Sequence, residues 1–200
     1  MYDINKGTRI SILTGLLIAI FCQQPLLAEQ QNEQQPLNPR MFAAVATSSP
    51  GFSLSSSSSI SWLFKDVDIK NDAPISGERI KEVLKQEISA EMLNKGFTVG
   101  SSGSPSDYYV AFTAATESTL DDATLLKRYK ASPGFNSAVT GNRIYEKGTL
   151  LIHIIDAKTR QTVWQSVVQA NIKADISDDQ RRKNIKAIVQ AMLRNLPVAR

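Results

Sequence analysis

The 200-residue chain contains one cysteine, Cys22, and one histidine, His153. A single thiol excludes an intramolecular disulfide framework. One His and one Cys leave too few of the usual ligands for a zinc or haem site. A large excess of one charge sign is lacking too: 23 Lys and Arg face 19 Asp and Glu, interspersed along the chain, for a net charge of +4. So mild an excess leaves no electrostatic footprint for nucleic acid. There is no Gly-x-Ser-x-Gly elbow and no phosphate-loop Gly-Lys-Ser/Thr. The stretch Gly100-Ser-Ser-Gly-Ser-Pro105 therefore reads as a plain loop. What is present is ordinary. A content of 42% hydrophobic and 21% charged residues fits one globular domain. A body of roughly 140–160 residues buries about two-thirds of its unfolded surface without a metal or disulfide staple.

Residues 1–28 read as a secretory signal peptide. Lys6 and Arg9 make a weakly positive start against Asp3. Ile10 to Phe21 is apolar except for Ser11, Thr14 and Gly15, and a short tail runs from Cys22 to the small residue Ala28. An apolar run of about twelve residues is too short to span a bilayer core of roughly 30 Å. An uncleaved anchor extended through Leu27 has to carry Gln23, Gln24 and Pro25. Two cleavage readings compete. Cleavage after Ala28 is favoured, with Leu26 tolerable as the third residue before the cut. The other makes Cys22 the lipid-bearing residue of a lipoprotein, but Phe21 is bulky where that peptidase needs a small residue. Cleavage after Ala28 removes the only thiol, which suits an oxidising periplasm. It also removes two basic and one acidic side chain, leaving 172 residues with a net charge of +3. The expected location is the periplasm; an outer-membrane lipoprotein anchored through Cys22 is the second reading.

Residues 29–41 are rich in Gln, Asn, Glu and Pro without an apolar period, and are expected to form a flexible tether. Residues 42–198 are expected to form a single α+β domain. Phe42 to Thr47 is a short apolar strand. Ser55 to Ser61 is serine-rich yet leads into Ile60, Trp62 and Phe64 at every second position, so linker and strand compete there. After a break at Asp72 to Ile75, Ser76 is a candidate N-cap. Ile80, Val83, Leu84, Ile88 and Met92 recur at helical spacing, with Lys81, Lys85 and Glu91 off that stripe. Gly96 closes this helix, about 77–95. Phe97 to Val99 makes a short strand, and 107–114 a longer one with Val110 and Phe112 on one face. Residues 117–143 are irregular apart from a short helix within Leu120 to Tyr129, ended by Ser132-Pro133-Gly134. Thr149 to Ile155, the polar turn Asp156 to Gln161, and Thr162 to Ala170 form a hairpin. Ser177 and Gln180 make a capping box for a last helix whose stripe is Ile185, Ile188, Val189, Met192, Leu193 and Leu196; Pro197 stops it. Two amphipathic helices packed on one face of a mostly antiparallel sheet, an α+β two-layer sandwich, is the simplest architecture.

Tyr145-Glu-Lys-Gly-Thr-Leu-Leu-Ile-His-Ile-Ile-Asp-Ala157, followed by Thr162-Val-Trp164, resembles a lipoprotein-like bacterial envelope family, the domain of unknown function numbered 4136. That family shows Tyr-x-x-Gly-Thr-Leu, an Ile-Asp-Ile-x-Asp strand end and then Leu-Val-Trp-Arg-Gly. Phe52-Ser53 with Trp62, Lys95-Gly96-Phe97 and Leu196-Pro197 match its further landmarks in order. The resemblance covers about 42–198. His153 stands where the family often has Asp, and Gln165-Ser166 where it often has Arg-Gly. The resemblance implies an envelope location and a fold, and no activity.

The candidate site residues have plain structural readings. His153 alternates with Ile152 and Ile154, so it faces away from them, and it has no nucleophile or orienting partner in sequence. Asp66, Asp68 and Asp72 mimic a calcium loop, but Asn71 and Gly77 stand where Gly and Glu are required, so a solvated loop is expected. Asp156 suits the start of a hairpin turn, and Asp121-Asp122 the start of a helix. Arg181-Arg182-Lys183, Lys186 and Arg194 make the last helix basic on its wet face, a surface for peripheral contact with anionic lipid or an acidic partner, or simply a solvated one. Trp62, Trp164, Tyr108, Tyr109 and Tyr145 are expected in the core. No catalytic residue, metal ligand or cofactor site is assigned; lipidation at Cys22 is the one modification considered. The expected function is a non-enzymatic binding or accessory protein of the envelope, its partner an envelope protein or lipid. Two other readings stay open: a lipid or small-molecule carrier with an apolar cavity, and a hydrolase built on Asp107, Asp156 and Tyr145.

Overall fold

The computed structural model describes residues 42–70, 77–116, 120–135, 146–172 and 176–199. The signal segment with Cys22, the tether, Asp72, Ser76 and Tyr145 lie outside them. In chain order the elements are β1 (Phe42–Ser48), β2 (Ile60–Lys70), α1 (Gly77–Asn94), β3 (Val99–Gly100), β4 (Tyr108–Thr116), α2 (Asp122–Tyr129), β5 (Glu146–Asp156), β6 (Thr162–Ile172) and α3 (Asp178–Leu193). The strands form one sheet in the order β1-β6-β5-β4-β2-β3. The pairs β1–β6, β5–β6 and β4–β5 are antiparallel, and β2 runs parallel to β3 and β4.

Alternation along the strands decides which side chains meet the two long helices. Val110 and Phe112 of β4, Leu150, Ile152 and Ile154 of β5, and Trp164 and Val168 of β6 leave the sheet on one face. There they join Leu84, Ile88 and Met92 of α1 and Val189, Met192 and Leu193 of α3 in one core. Trp62 packs edge-on against Phe112 with ring centroids 6.0 Å apart. Each large apolar side chain buried in this way contributes about 1.5–3 kcal/mol relative to exposure. This is the expected α+β sandwich. The basic wet face of α3 meets α1 through Arg182, which reaches Glu87 at 3.3 Å and Gln86 at 2.8 Å, and Arg79 returns to Asp178 at 2.6 Å.

Local chemistry ends the helices. Gly96, at φ +91°, lets its own N–H reach the Leu93 carbonyl and the Phe97 N–H reach that of Met92, which closes α1. The Ser177 hydroxyl accepts from the Gln180 N–H at 3.2 Å and caps α3. The Gln180 side chain donates onward to Asn184, so the expected capping box closes on its Ser arm. Beyond Pro197 the chain bonds to Leu54 in both directions, at 2.9 and 2.8 Å.

Other expectations shift. Ser55 to Ser59 form turns, held by bonds such as Ser55 N–H to the Ser58 hydroxyl at 3.1 Å, and the strand starts at Ile60. Asp66 and Asp68 fall within β2 and not in a loop, because that strand continues its ladder alongside β4 after a register shift past Trp62. The short strand is Val99–Gly100, and Phe97 enters the core instead. Lys85, expected off the apolar stripe, lies over the Trp62 ring at 5.7 Å. α2 ends at Lys130, ahead of the Pro-Gly signal, in a left-handed cap whose N–H bonds the Leu126 carbonyl.

The second face of the sheet as a candidate site

The other parity of the same strands carries a different population. Lys147, Thr149, Leu151 and His153 of β5 alternate with the core residues, and Gln165, Val167 and Gln169 of β6 stand beside them. Lys147 (4% exposed), Thr149 (3%) and Gln169 (0%) are buried. Buried polar side chains are costly unless hydrogen-bonded, so their partners define what this face does.

The cover over this face is α2 with its flanks. Leu120, Leu125 and Ala131 pack on Ala115, Leu151 and Val167, with Tyr129 and Val45 at the rim. The remaining ties are polar. Asp122, in the first turn of α2, receives the Lys147 ammonium on both carboxylate oxygens at 3.1 Å. The Gln169 amide NH2 donates to the same carboxylate, and the Gln169 carbonyl accepts from the Phe135 N–H at 3.3 Å. The Gln165 amide donates to the Tyr129 carbonyl at 2.6 Å. The Tyr129 ring lies 5.7 Å from that of His153 on one side, and the Arg128 guanidinium sits over it at 5.4 Å. Hydrogen bonding from Gln169, with the Lys147 charge beside it, holds the Asp122 carboxyl below the usual carboxylate range against the effect of its burial. Asp121 caps the helix by accepting the Thr124 N–H at 2.7 Å, and that bond lowers its pKa in turn.

The residues singled out from sequence divide between this face and elsewhere. His153 sits on it, opposite in parity to Ile152 and Ile154. Asp121 and Asp122 start α2 as expected, but Asp122 also anchors it to the sheet. Trp62 and Trp164 are core, as expected. Tyr108 is partly buried against that core, with Phe52 edge-on at 5.7 Å; Tyr109 lies under the Arg160 guanidinium at 5.5 Å. Asp107 and Asp156 do lie at the same end of neighbouring strands, where Tyr108 pairs with Asp156 and the Ala157 N–H bonds the Asp107 carbonyl. Each carboxylate is already taken up by backbone and hydroxyl donors. Asp107 accepts from the backbone N–H and hydroxyl of Ser59 at 2.9 and 2.7 Å, and Asp156 from Lys158 and Thr159 within its own hairpin turn. These backbone bonds, from Ser59 and Thr159, lower both pKa values. A carboxyl held ionised is a poor general acid near neutral pH.

Lys147, Thr149 and Gln169 escaped sequence reading, and Gln165 entered it only as a departure from the family pattern. The eye takes residues 149–155 as an aliphatic run, yet Lys147, Thr149 and His153 share one parity, and that was the available signal. Among the described residues no group of three or more His, Cys, Asp or Glu is placed to hold a metal ion. Nor is any described helix long and apolar enough to cross a membrane.

A mostly antiparallel sheet, sealed by a helix pair on one face and strapped by a short helix on the other, defines an α+β sandwich domain with a polar second face. The family model described as "Domain of unknown function (DUF4136)" matches residues 46–198, and the chain belongs to that family. No curated protein matches it. Among solved structures it is similar to a PelC dodecamer from Paraburkholderia phytofirmans, at 11% identity and a TM-score of 0.47 over 80% of this chain and 100% of the other. A DUF4136 family protein from Bacteroides thetaiotaomicron VPI-5482 is similar at 11% identity and a TM-score of 0.46, over 76% of this chain and 95% of the other. A PDZ domain protein from Parabacteroides distasonis ATCC 8503 is similar at 13% identity and a TM-score of 0.44, over 80% of this chain and 36% of the other.

Proposed function

We propose that the chain is an exported, non-enzymatic binding or accessory protein of the bacterial cell envelope that engages an envelope partner through the second face of its sheet. One observation carries this reading: buried Lys147, Thr149 and Gln169 stand on a sheet face covered by one eight-residue helix and its short flanks. Folding alone is served better by apolar side chains at such positions. The strap also displays Leu126, 58% exposed, beside that face. The hydrolase reading draws no comparable support, since Asp107 bonds Ser59 and Asp156 bonds its own hairpin turn. The carrier reading needs open apolar space under α1 and α3, and there Trp62, Phe112 and Trp164 pack against the helix stripes as one cluster.

The test is site-specific photo-cross-linking in intact cells. A photoreactive residue at Leu126 is expected to capture a discrete envelope component, and one at Leu93 on α1, 61% exposed, is expected not to. Equal capture from both positions removes the assignment of the face. Intact mass of the purified protein decides between release after Ala28 and a lipid on Cys22.

A further inference from the structure

We propose that Lys147, Gln169 and Thr149 form a receiving site for the carboxylate of a ligand, and that Asp122 is the chain's own plug in it. The inference rests on reading the second face as the binding face.

Host and plug differ in burial. The Lys147 side chain is 5% exposed, whereas that of Asp122 is 46% exposed and rides on the short strap. The host side chains come from β5 and β6, both interior strands of the sheet. Thr149 pairs directly with Gln169 across those strands, and Lys147 stands two residues along on the same face. Side chains in such positions are near neighbours. The Phe135 N–H holds the Gln169 carbonyl, so its NH2 is set toward the carboxylate before any ligand arrives. Among the described residues the Thr149 hydroxyl is buried without a hydrogen-bond partner. Asp122 thus uses the ammonium and the amide and leaves a third buried donor unused. A carboxylate free of the helix tether can turn to take all three, since it has about four acceptor positions. Its arrival displaces Asp122 into water, where that group is already half exposed, and frees α2 to move off the face.

The experiment is chemical rescue in the full-length protein. Asp122→Ala removes the plug and is expected to lower the thermal midpoint by roughly 5 °C. Sodium formate is expected to recover at least half of that loss with saturable dependence, while sodium chloride at matched ionic strength recovers none. The double variant Asp122→Ala with Lys147→Met is expected to show no rescue. Equal effects of formate and chloride, or rescue that survives Lys147→Met, overturn the proposal. Should Asp122→Ala fail to fold, Asp122→Asn serves, read by the Gln169 side-chain amide NMR signals. These are expected to move saturably with formate and stay still with chloride; signals that stay still with formate overturn the site. Capture at Leu126 without formate rescue removes the carboxylate chemistry and leaves the binding face standing. Loss of that capture with rescue intact does the reverse.

Discussion

The two faces of the sheet share strands β4, β5 and β6 and hold their covers by different physics. On the first face, two helices of 18 and 16 residues lay apolar stripes on Phe112, Ile152 and Trp164. On the second, a helix of eight residues contributes a single buried apolar side chain, Leu125, and is tied down by Asp122. Apolar burial is non-directional and additive in area, so the first cover is hard to remove piecemeal. The polar ties of the strap, Asp122 foremost, are directional, and that of Asp122 depends on its charge. Within one domain, the first face is expected to behave as the folding core and the cover of the second to fray at lower free energy.

Truncations in the core give the largest effect. Phe112 and Ile88 are both fully buried in the first-face cluster. Phe112→Ala is expected to cost about 3–5 kcal/mol and Ile88→Ala about 2–5 kcal/mol, read by denaturant unfolding. Leu125→Ala, equally buried but under the strap, is expected near the bottom of the range for its type, because α2 can settle into the gap. If Leu125→Ala proves as damaging as Ile88→Ala, the two covers are equal parts of one core.

Next comes the Asp122–Lys147 pair. Removing one member of a buried pair costs more than replacing both. Asp122→Ala is expected to cost about 1–3 kcal/mol, reduced from the about 3–5 kcal/mol of a fully buried pair because Asp122 is partly solvated. The double variant with Lys147→Met is expected to be more stable than Asp122→Ala alone. A simple sum of the single effects in this cycle would show that the contact carries no coupling.

Acid acts on the same contrast. The Asp107, Asp121, Asp122 and Asp156 carboxyls are all held below their ordinary range in the folded chain. The unfolded chain therefore takes up protons at higher pH than the folded one. Their stabilisation is complete above the unfolded value of about 3.9 and is lost as the pH falls through the lower folded values. Thermal midpoints are expected to be level from about pH 7 to 5 and to decline as pH drops below about 4. Asp122→Asn is expected to flatten part of that decline. An acid slope unchanged by this variant would separate the strap from the response.

What the sequence disclosed follows the same division. The stripes of α1 and α3, the β5–β6 hairpin and the core tryptophans were readable because apolar periodicity reports what is buried on the long elements. The start of α2 at Asp121-Asp122 was readable because capping is local chemistry. The second-face site was not. Lys147, Gln169 and Asp122 are separated by 25 and 47 residues from donor to acceptor, and only the sheet register brings them together. The serine run before β2 misled for a related reason: alternation over 55–61 matches a strand, while side-chain bonds among Ser55, Ser57 and Ser58 settle residues 55–59 into turns.

The smallest effect separates the faces most cleanly. Ser177 and Asp121 do the same work, each accepting a backbone N–H three residues on at the start of its helix. Loss of an N-cap of this kind typically costs a helix about 1 kcal/mol. α3 is part of the main core, so Ser177→Ala is expected to lower the thermal midpoint of the whole domain by about 2–4 °C. In Asp121→Ala the Asp122 carboxylate still ties α2 to the sheet, so the loss is expected to be absorbed as fraying of the strap's own helix. Amide exchange within Asp122–Tyr129 should then speed by about fivefold, and the midpoint should hardly move. A midpoint loss from Asp121→Ala equal to that from Ser177→Ala would mean that α2 is welded into the core, and the second face could not open without unfolding the first.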